Sequence, residues 1–446
     1  MDTKKEMKSL LWIVVVFTTV FFLPLGSERF MTAMDAMLDL ARWYAREHVV
    51  SCLLPAFFIA GVIAVFVSQG SVLKYFGANA KKWLSYTVAA VSGGILAVCS
   101  CTILPLFTSI YKRGAGLGPA IAFLYAGPAI SILSIILTAR ILGFEMGVAR
   151  IAGAVLFSVV IGLSMSFIFR KEEKAKKEEQ LNIVPPPDQR PVWQTSFHFF
   201  TLVLILVFAN WGAPASSDTG LWYEIFSRKW HVTGILSLLF CWSLVRILKL
   251  RVRWVVLGAV AVVVSVILSN LFLTDMKLIP LVPMVVAVAA LSVMLLLDKR
   301  NAENREWALA SWGFAKQILP LLAIGVVTAG FLLGSTHDET VIAGIIPDSW
   351  IKWAVGGNSL MSNFFSSFTG TFMYFATLTE VPVIQGLLAS GMGKGPALAL
   401  LLAGPSLSLP NMLVIRGVLG TKKTIVYVAL VIVMATLSGF VFGKFF

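Results

Sequence analysis

The chain has 446 residues, 58% of them hydrophobic and 13% charged, and its mean hydropathy is +0.88. Such a composition excludes a soluble domain, and apolar runs longer than about 18 residues indicate helices that cross a bilayer rather than a barrel of alternating strands. The net charge of +14 does not indicate nucleic acid, because Lys and Arg cluster in short loops between apolar runs, where they set orientation.

In chain order, Lys4, Lys5 and Lys8 place the N-terminus in the cytoplasm. The basic, apolar start resembles a signal peptide but lacks an Ala-x-Ala site, so an uncleaved first span is expected over Leu10–Leu25. A partly amphipathic external segment, Ser27–His48, leads to a second span over Val49–Ser68 and a basic loop carrying Lys74, Lys81 and Lys82. Loop charges favour a re-entrant hairpin over Trp83–Ile110, turning near Cys99–Cys101, followed by spans over Leu117–Thr138 and Gly147–Phe169. Residues Arg170–Gln194, ending in Pro185-Pro186-Pro187, read as a flexible cytoplasmic connector that is helical before the prolines. Central spans are expected over Phe197–Gly212, His231–Leu248, Trp254–Leu273 and Leu278–Leu297. A further span over Gly313–Gly334, a hairpin-like region over Trp350–Leu388, and spans over Pro396–Ile415 and Thr424–Gly443 complete the chain.

An internal repeat organises these elements. At one constant offset, with no gaps, Pro105 falls on Pro382, Gly118-Pro119 on Gly395-Pro396, and Ala126-Gly127-Pro128 on Ala403-Gly404-Pro405. Similarly, LPAFFIAGVIAVFV from Leu54 matches LPLLAIGVVTAGFL from Leu319. Loop charges put the two copies in opposite orientations. The expected fold is therefore an all-α polytopic membrane protein, with two inverted-topology repeats whose re-entrant or broken helices meet near the membrane midplane. The expected divisions are a first repeat over 1–169, a cytoplasmic linker over 170–195, central spans over 196–277 and a second, inverted repeat over 278–446.

Pro119 begins its helix at no cost, and Gly127-Pro128 lies eight to nine residues later. At 1.5 Å per residue that is roughly 13 Å, near the centre of an apolar layer about 30 Å thick. Each internal proline frees a carbonyl, at Leu124 and Leu401, and Ser131, Ser406, Ser408 and Asn411 add polar groups nearby. Gly127, Pro128, Gly404, Pro405, Ser131 and Ser408 are thus candidate substrate-binding residues, although Gly-Pro pairs also kink helices purely for packing.

Cys99 and Cys101, with Thr102 and Pro105, form the sharpest chemical feature. Thiolates are soft ligands suited to Cu(I), zinc or trivalent arsenic, and both sulfurs reach one ion only where the chain is unwound. The alternative is two small residues easing helix contact. Glu380, beside Thr379 and at the register of Ile103, is an ionisable group at membrane depth. It is a candidate to carry a coupling proton, to bind a cation, or to pair with Lys394 or Arg416. Cys52 and Cys241 read as packing residues, and His48, His198, His231 and His337 as interfacial groups without metal spacing. The loops Gly391–Gly395 and Gly417–Thr424 miss phosphate-loop spacing, and no catalytic constellation appears, so no enzyme activity and no cofactor is expected.

The segment CSCTILPLFTSIYKRGAGLGPAIAFLYAGPAISILSIILTAR, Cys99–Arg140, resembles the bacterial predicted permease family that includes the trivalent organoarsenical efflux permeases. The resemblance implies a multi-pass protein of the bacterial inner (plasma) membrane that exports trivalent organoarsenicals in some members, with copper or zinc assigned to others. The long centre, Arg170–Lys299, departs from the shorter family core. The reading is a secondary permease exporting a soft, thiol-reactive solute. Cys99 and Cys101 would bind it transiently and Glu380 would couple protons. The alternative is a carrier of a small anion or sulfur compound with the cysteines structural. The partners implied are a small-molecule or ion substrate and the lipid bilayer, with no nucleic acid and with a homo-oligomer allowed.

Overall fold

The computed structural model describes most of the chain from Phe21 to Phe445, with five scattered positions before it. Residues 67–75, 78–79, 97–99, 131, 182–189, 213–220, 274–277, 338–339, 348, 350–353, 374–379 and 390 lie outside the described set. Of the expected first span, Leu10–Leu25, residues 11–13, 15–16 and 19–20 lie outside it as well.

Ser27 caps helix α1, Glu28–Tyr44, its hydroxyl accepting from the Phe30 N–H at 3.4 Å. The helix continues through a π-helical stretch, Ala45–Leu53, into α2, Leu54–Phe66. The expected external segment and second span are therefore one helical path. Helices α3, Lys82–Leu96, and α4, Ser100–Lys112, stand on either side of residues 97–99, so the expected turn near Cys99–Cys101 falls largely outside the described residues. The two arms pack on different neighbours, α4 against α2, and both against α5, Leu117–Ala129. Next come α6, Ile132–Ile141, α7, Phe144–Ile168, and α8, Arg170–Leu181. The helical start of the connector is held to the core: Glu173 Oε2 accepts from the Leu117 N–H at 3.0 Å, and Glu172 pairs with Lys423 at 2.6 Å.

The centre comprises α9, Val192–Ala209, α10, Leu221–Arg246, α11, Val252–Phe272, and α12, Leu278–Leu297. Helix α11 turns Val256, Val260, Val263 and Ile267 outward, as a helix facing lipid does. Helix α13, Ala302–Leu333, is capped by Asn301 and packs against α1 and α2, with the Trp307 indole donating to the Phe58 carbonyl at 2.8 Å. It leads into an antiparallel hairpin, β1 Gly334–His337 and β2 Thr340–Ala343, which departs from the purely helical expectation. Helices α14, Leu360–Phe372, α15, Glu380–Ala389, α16, Lys394–Leu407, α17, Leu409–Leu419, and α18, Thr421–Phe445, follow. Among the described residues, six helical segments are long and apolar enough to cross a membrane, and the pair α16–α17, bent by 48°, makes a seventh. Apart from the β1–β2 hairpin, the protein is, among the described residues, an all-α polytopic membrane protein.

The offset of the sequence repeat reappears in the helix bounds. Displaced by it, α5 falls on α16, α6 on α17, α7 on α18 and α3 on α14, to within a residue at each end. Packing recurs with the register: α5 lies between α3 and α7, and α16 between α14 and α18. Every residue of Leu117–Ala129 and of Gly395–Leu407 is buried. The two helices that carry Gly-Pro are the innermost elements, and they touch each other.

Glycines set these central crossings. A Cβ at Gly118 would sit 1.9 Å from the Tyr86 hydroxyl and 2.9 Å from the Gly162 carbonyl oxygen. At the corresponding positions, a Cβ on Gly395 or Gly439 would lie 2.5 Å from the other's carbonyl oxygen. Two helix backbones in contact leave no room for a side chain, which is how small residues hold helices together in lipid. Gly118→Val and Gly395→Val are each expected to destabilise the detergent-solubilised protein by about 1–3 kcal/mol, as overpacking does. The readout is a lowered unfolding midpoint; Gly234→Val, where a Cβ meets open space, serves as the neutral comparison.

Candidate functional site

The inner helices end close to the Gly-Pro pairs, though not at them. Gly127-Pro128 and Gly404-Pro405 remain helical: each proline removes only its own bond to the carbonyl four residues back, and the helix ends one or two residues later. Helix α5 stops at Ala129, and α16 at Leu407, followed by extended Ser408 (φ −51°, ψ 149°). Pro410 then lies in the first turn of α17, where its missing N–H is harmless. The expected breaks thus exist but fall just past the prolines.

At the first of these helix ends lies a buried ion pair. Arg150 on α7 and Glu380 at the start of α15 are 0% and 1% exposed, with Nη2 and Oε1 2.5 Å apart. Arg150 Nη1 donates to Thr138 Oγ1 at 2.9 Å, and Nε donates to the Ala129 carbonyl at 3.2 Å. Thr138 in turn donates to the Ser134 carbonyl at 2.7 Å, while Ser134 Oγ donates to Glu380 Oε1 at 2.8 Å. The guanidinium therefore meets the negative end of α5, and the carboxylate sits at the positive end of α15, each placed as a helix dipole favours. Glu380 Oε2 is buried and has no hydrogen-bond partner among the described residues. The sequence-based candidates for Glu380, Lys394 and Arg416, are not its partner. Arg416 Nε instead donates to Thr421 Oγ1 at 3.1 Å.

The corresponding positions of the other copy carry no charge. Tyr427 stands at the register of Arg150, Asn411 at that of Ser134, and Ile103 at that of Glu380. Helix α17 packs on α18 and α4 there, as α6 packs on α7 and α15. The Tyr427 hydroxyl, Asn411 Oδ1 and Ser408 Oγ are buried, and none has a hydrogen-bond partner among the described residues. Between the two places, the Tyr125 hydroxyl donates to the Leu402 carbonyl at 3.0 Å, and Leu402 occupies the register of Tyr125 itself.

Of the other sequence candidates, Cys99, Ser131 and Thr379 lie outside the described residues. Cys101 and Thr102 lie in the first turn of α4, but their side chains are outside the described set; Pro105 is buried within that helix. Gly127, Pro128, Gly404, Pro405 and Ser408 are all buried around the two breaks. His198 is buried rather than interfacial. Its Nδ1 lies 2.9 Å from Ser243 Oγ and its ring packs against Phe240 and Trp307. No group of three or more His, Cys, Asp or Glu side chains suited to a metal ion occurs among the described residues. Arg150, Ser134, Thr138 and Tyr125 were not legible as site residues from the repeat. A signal for Arg150 exists: it is a lone cation inside an apolar run, the complement of lone Glu380.

Removing one charge leaves the other buried and uncompensated, whereas removing both does not. Arg150→Met or Glu380→Gln alone is expected to destabilise the protein by about 3–5 kcal/mol, while Arg150→Met/Glu380→Met recovers most of that loss. A double-mutant cycle on unfolding midpoints in detergent checks this; additive losses would refute the coupling.

The ArsP_1 family of predicted permeases matches residues 36–444. A UPF0718 protein of Methanocaldococcus jannaschii, MJ0584, is 40% identical over 418 residues, covering 93% of this chain and 96% of the relative. The UPF0718 proteins YraQ of Escherichia coli and YcgR of Bacillus subtilis are 34% and 24% identical, over 30% and 33% of this chain and 35% and 51% of their own. No solved structure matches the chain. With nearly its whole length matched by the family model, the chain belongs to the predicted permease family.

Proposed function

We propose that this protein is a secondary permease of the inner (plasma) membrane, with its N-terminus in the cytoplasm, built from two inverted copies of one helical unit. The observation that carries the reading is the Arg150–Glu380 pair: one charge from each copy, buried at the ends of broken helices, with one carboxylate oxygen unpartnered among the described residues. Broken helices meeting at an interface between repeats are the arrangement by which carriers alternate access. A proton on Glu380 removes the attraction holding α15 to α7 and frees the copies to rock. Deprotonation restores it.

The two copies divide the chemistry. The N-terminal end of α15 carries the carboxylate, and the N-terminal end of α4 carries the Cys-x-Cys stretch at the matching place. Glu380 then serves as the coupling group, and Cys99 and Cys101 hold a soft, thiol-reactive solute such as a trivalent organoarsenical or a soft metal ion during export. Two thiolates without a third give exchangeable binding, which release requires. A second reading, a carrier for a small anion or sulfur compound, draws on Arg150, the fixed cation exposed to a substrate once Glu380 is protonated.

Proteoliposomes separate the two. Glu380→Gln is expected to lower transport driven by a pH gradient at least tenfold while leaving substrate exchange at equal pH measurable. Cys99→Ser/Cys101→Ser is expected to abolish transport of a trivalent methylarsenical. Undiminished arsenical transport in the cysteine variant would overturn the thiol step, and anion uptake surviving cysteine alkylation would favour the second reading.

A further inference from the structure

A cavity of about 320 Å³ opens where α3 begins, α5 begins and α7 passes into α8. Its walls carry three cations, Lys82, Arg170 and Lys174, against one carboxylate, Glu173. Arg170 and Lys174 are one helical turn apart on α8, so they share a face. Ser85, 1% exposed, also lines the cavity, and its Oγ has no hydrogen-bond partner among the described residues. A serine within a helix ordinarily returns its hydroxyl to the turn before it; this one lines the cavity instead. Gly116, the N-cap of α5, lines the cavity too, and Glu173 already takes the Leu117 N–H at 3.0 Å. The helix end is thus occupied by an anion of the protein's own.

We propose that this cavity binds a phosphate group, with Arg170, Lys174 and Lys82 around the oxyanion, Ser85 Oγ donating to it, and the N-terminus of α5 behind it. Bare electrostatics does not by itself select phosphate; position does. Lys82 opens α3, and Arg170 follows a 25-residue apolar span, so the cavity lies at the edge of the membrane on the side of the basic loops. Phospholipid phosphates occupy that level, and basic pockets between membrane helices recognise them. The size suits a phosphate with a small substituent, at the lower end of ligand cavities. Glu173 acts as a resident competitor: a phosphate entering the cavity displaces its carboxylate from the Leu117 N–H. Because α5 also carries Gly127-Pro128 and meets α16, occupancy here bears on the innermost helix of the fold. The proposal stands apart from the transport reading, since it concerns binding alone.

The test uses the full-length protein in neutral detergent, titrated with inorganic phosphate and, separately, with short-chain phosphatidylglycerol, binding being read by calorimetry and native mass spectrometry. Saturable binding of at least one probe is expected. Arg170→Ala/Lys174→Ala should weaken it at least tenfold, and Ser85→Ala severalfold. Glu173→Gln, which keeps an acceptor for the Leu117 N–H but removes the competing charge, should tighten it severalfold. Binding of the lipid alone identifies a headgroup site; binding of inorganic phosphate as well identifies a soluble phosphate ester. If neither probe saturates, or if the Arg170→Ala/Lys174→Ala protein, folded by its unfolding midpoint, binds as tightly as the unaltered one, the proposal is wrong.

Discussion

The Arg150–Glu380 pair is the interaction on which the arrangement depends, because its cost has to be met by everything around it. Taking a carboxylate and a guanidinium out of water costs several kcal/mol for each ion, and the mutual attraction offsets this only when the remaining polar atoms are satisfied. Here Thr138, Ser134 and the Ala129 carbonyl supply most of those contacts, all from the first broken stretch of chain, while Glu380 Oε2 has no partner among the described residues. Arg150 and Glu380 lie 230 residues apart in sequence. Neither half of the chain is balanced alone, so docking of the halves and neutralisation of the charges are one event.

The register shared by the two copies gives the pair a control built into the same molecule. The backbone at the second break repeats the first, with the same glycine crossing and the same neighbours, yet Tyr427, Asn411 and Ile103 replace Arg150, Ser134 and Glu380. The glycines and prolines determine where helices cross and stop. A few side chains then determine which end is ionised. Fold and chemistry are specified by different residues, which is why one backbone unit supports two unlike sites.

That separation also explains what could be read from sequence. Gly118, Gly395 and the Gly-Pro pairs announce themselves because their effect is local: a missing side chain or a missing N–H acts on the helix that carries it. The duplicated breaks and the membrane class follow from them. The pairing of Glu380 is not local. Lys394 and Arg416 were nearer in sequence, but Arg150 is brought in because α6 packs on both α7 and α15, which no single-helix pattern encodes. His198 escaped for the same reason. It lies near the end of its apolar run in sequence, yet α9, α10 and α13 close over it. The Gly162–Gly439 half of each crossing was readable in principle, since it sits at the same offset as Gly118–Gly395.

The two breaks differ in how firmly they are held. At the first, Arg150 and Glu380 lock α6, α7 and α15 together through charge-assisted bonds, which are roughly twice as strong as neutral ones. At the second, Ser408, Asn411 and Tyr427 each bury a polar atom without a partner among the described residues. Each such atom costs about 1–3 kcal/mol in the state observed. A conformation or a bound solute that satisfied them would recover that energy, while disrupting the first break would forfeit a charge pair. The two breaks are joined by the packing of α5 on α16, of α16 on α7 and of α7 on α18. Loss of the Glu380 charge would weaken the first break alone, because the corresponding positions at the second, Tyr427, Asn411 and Ile103, carry no charge to neutralise.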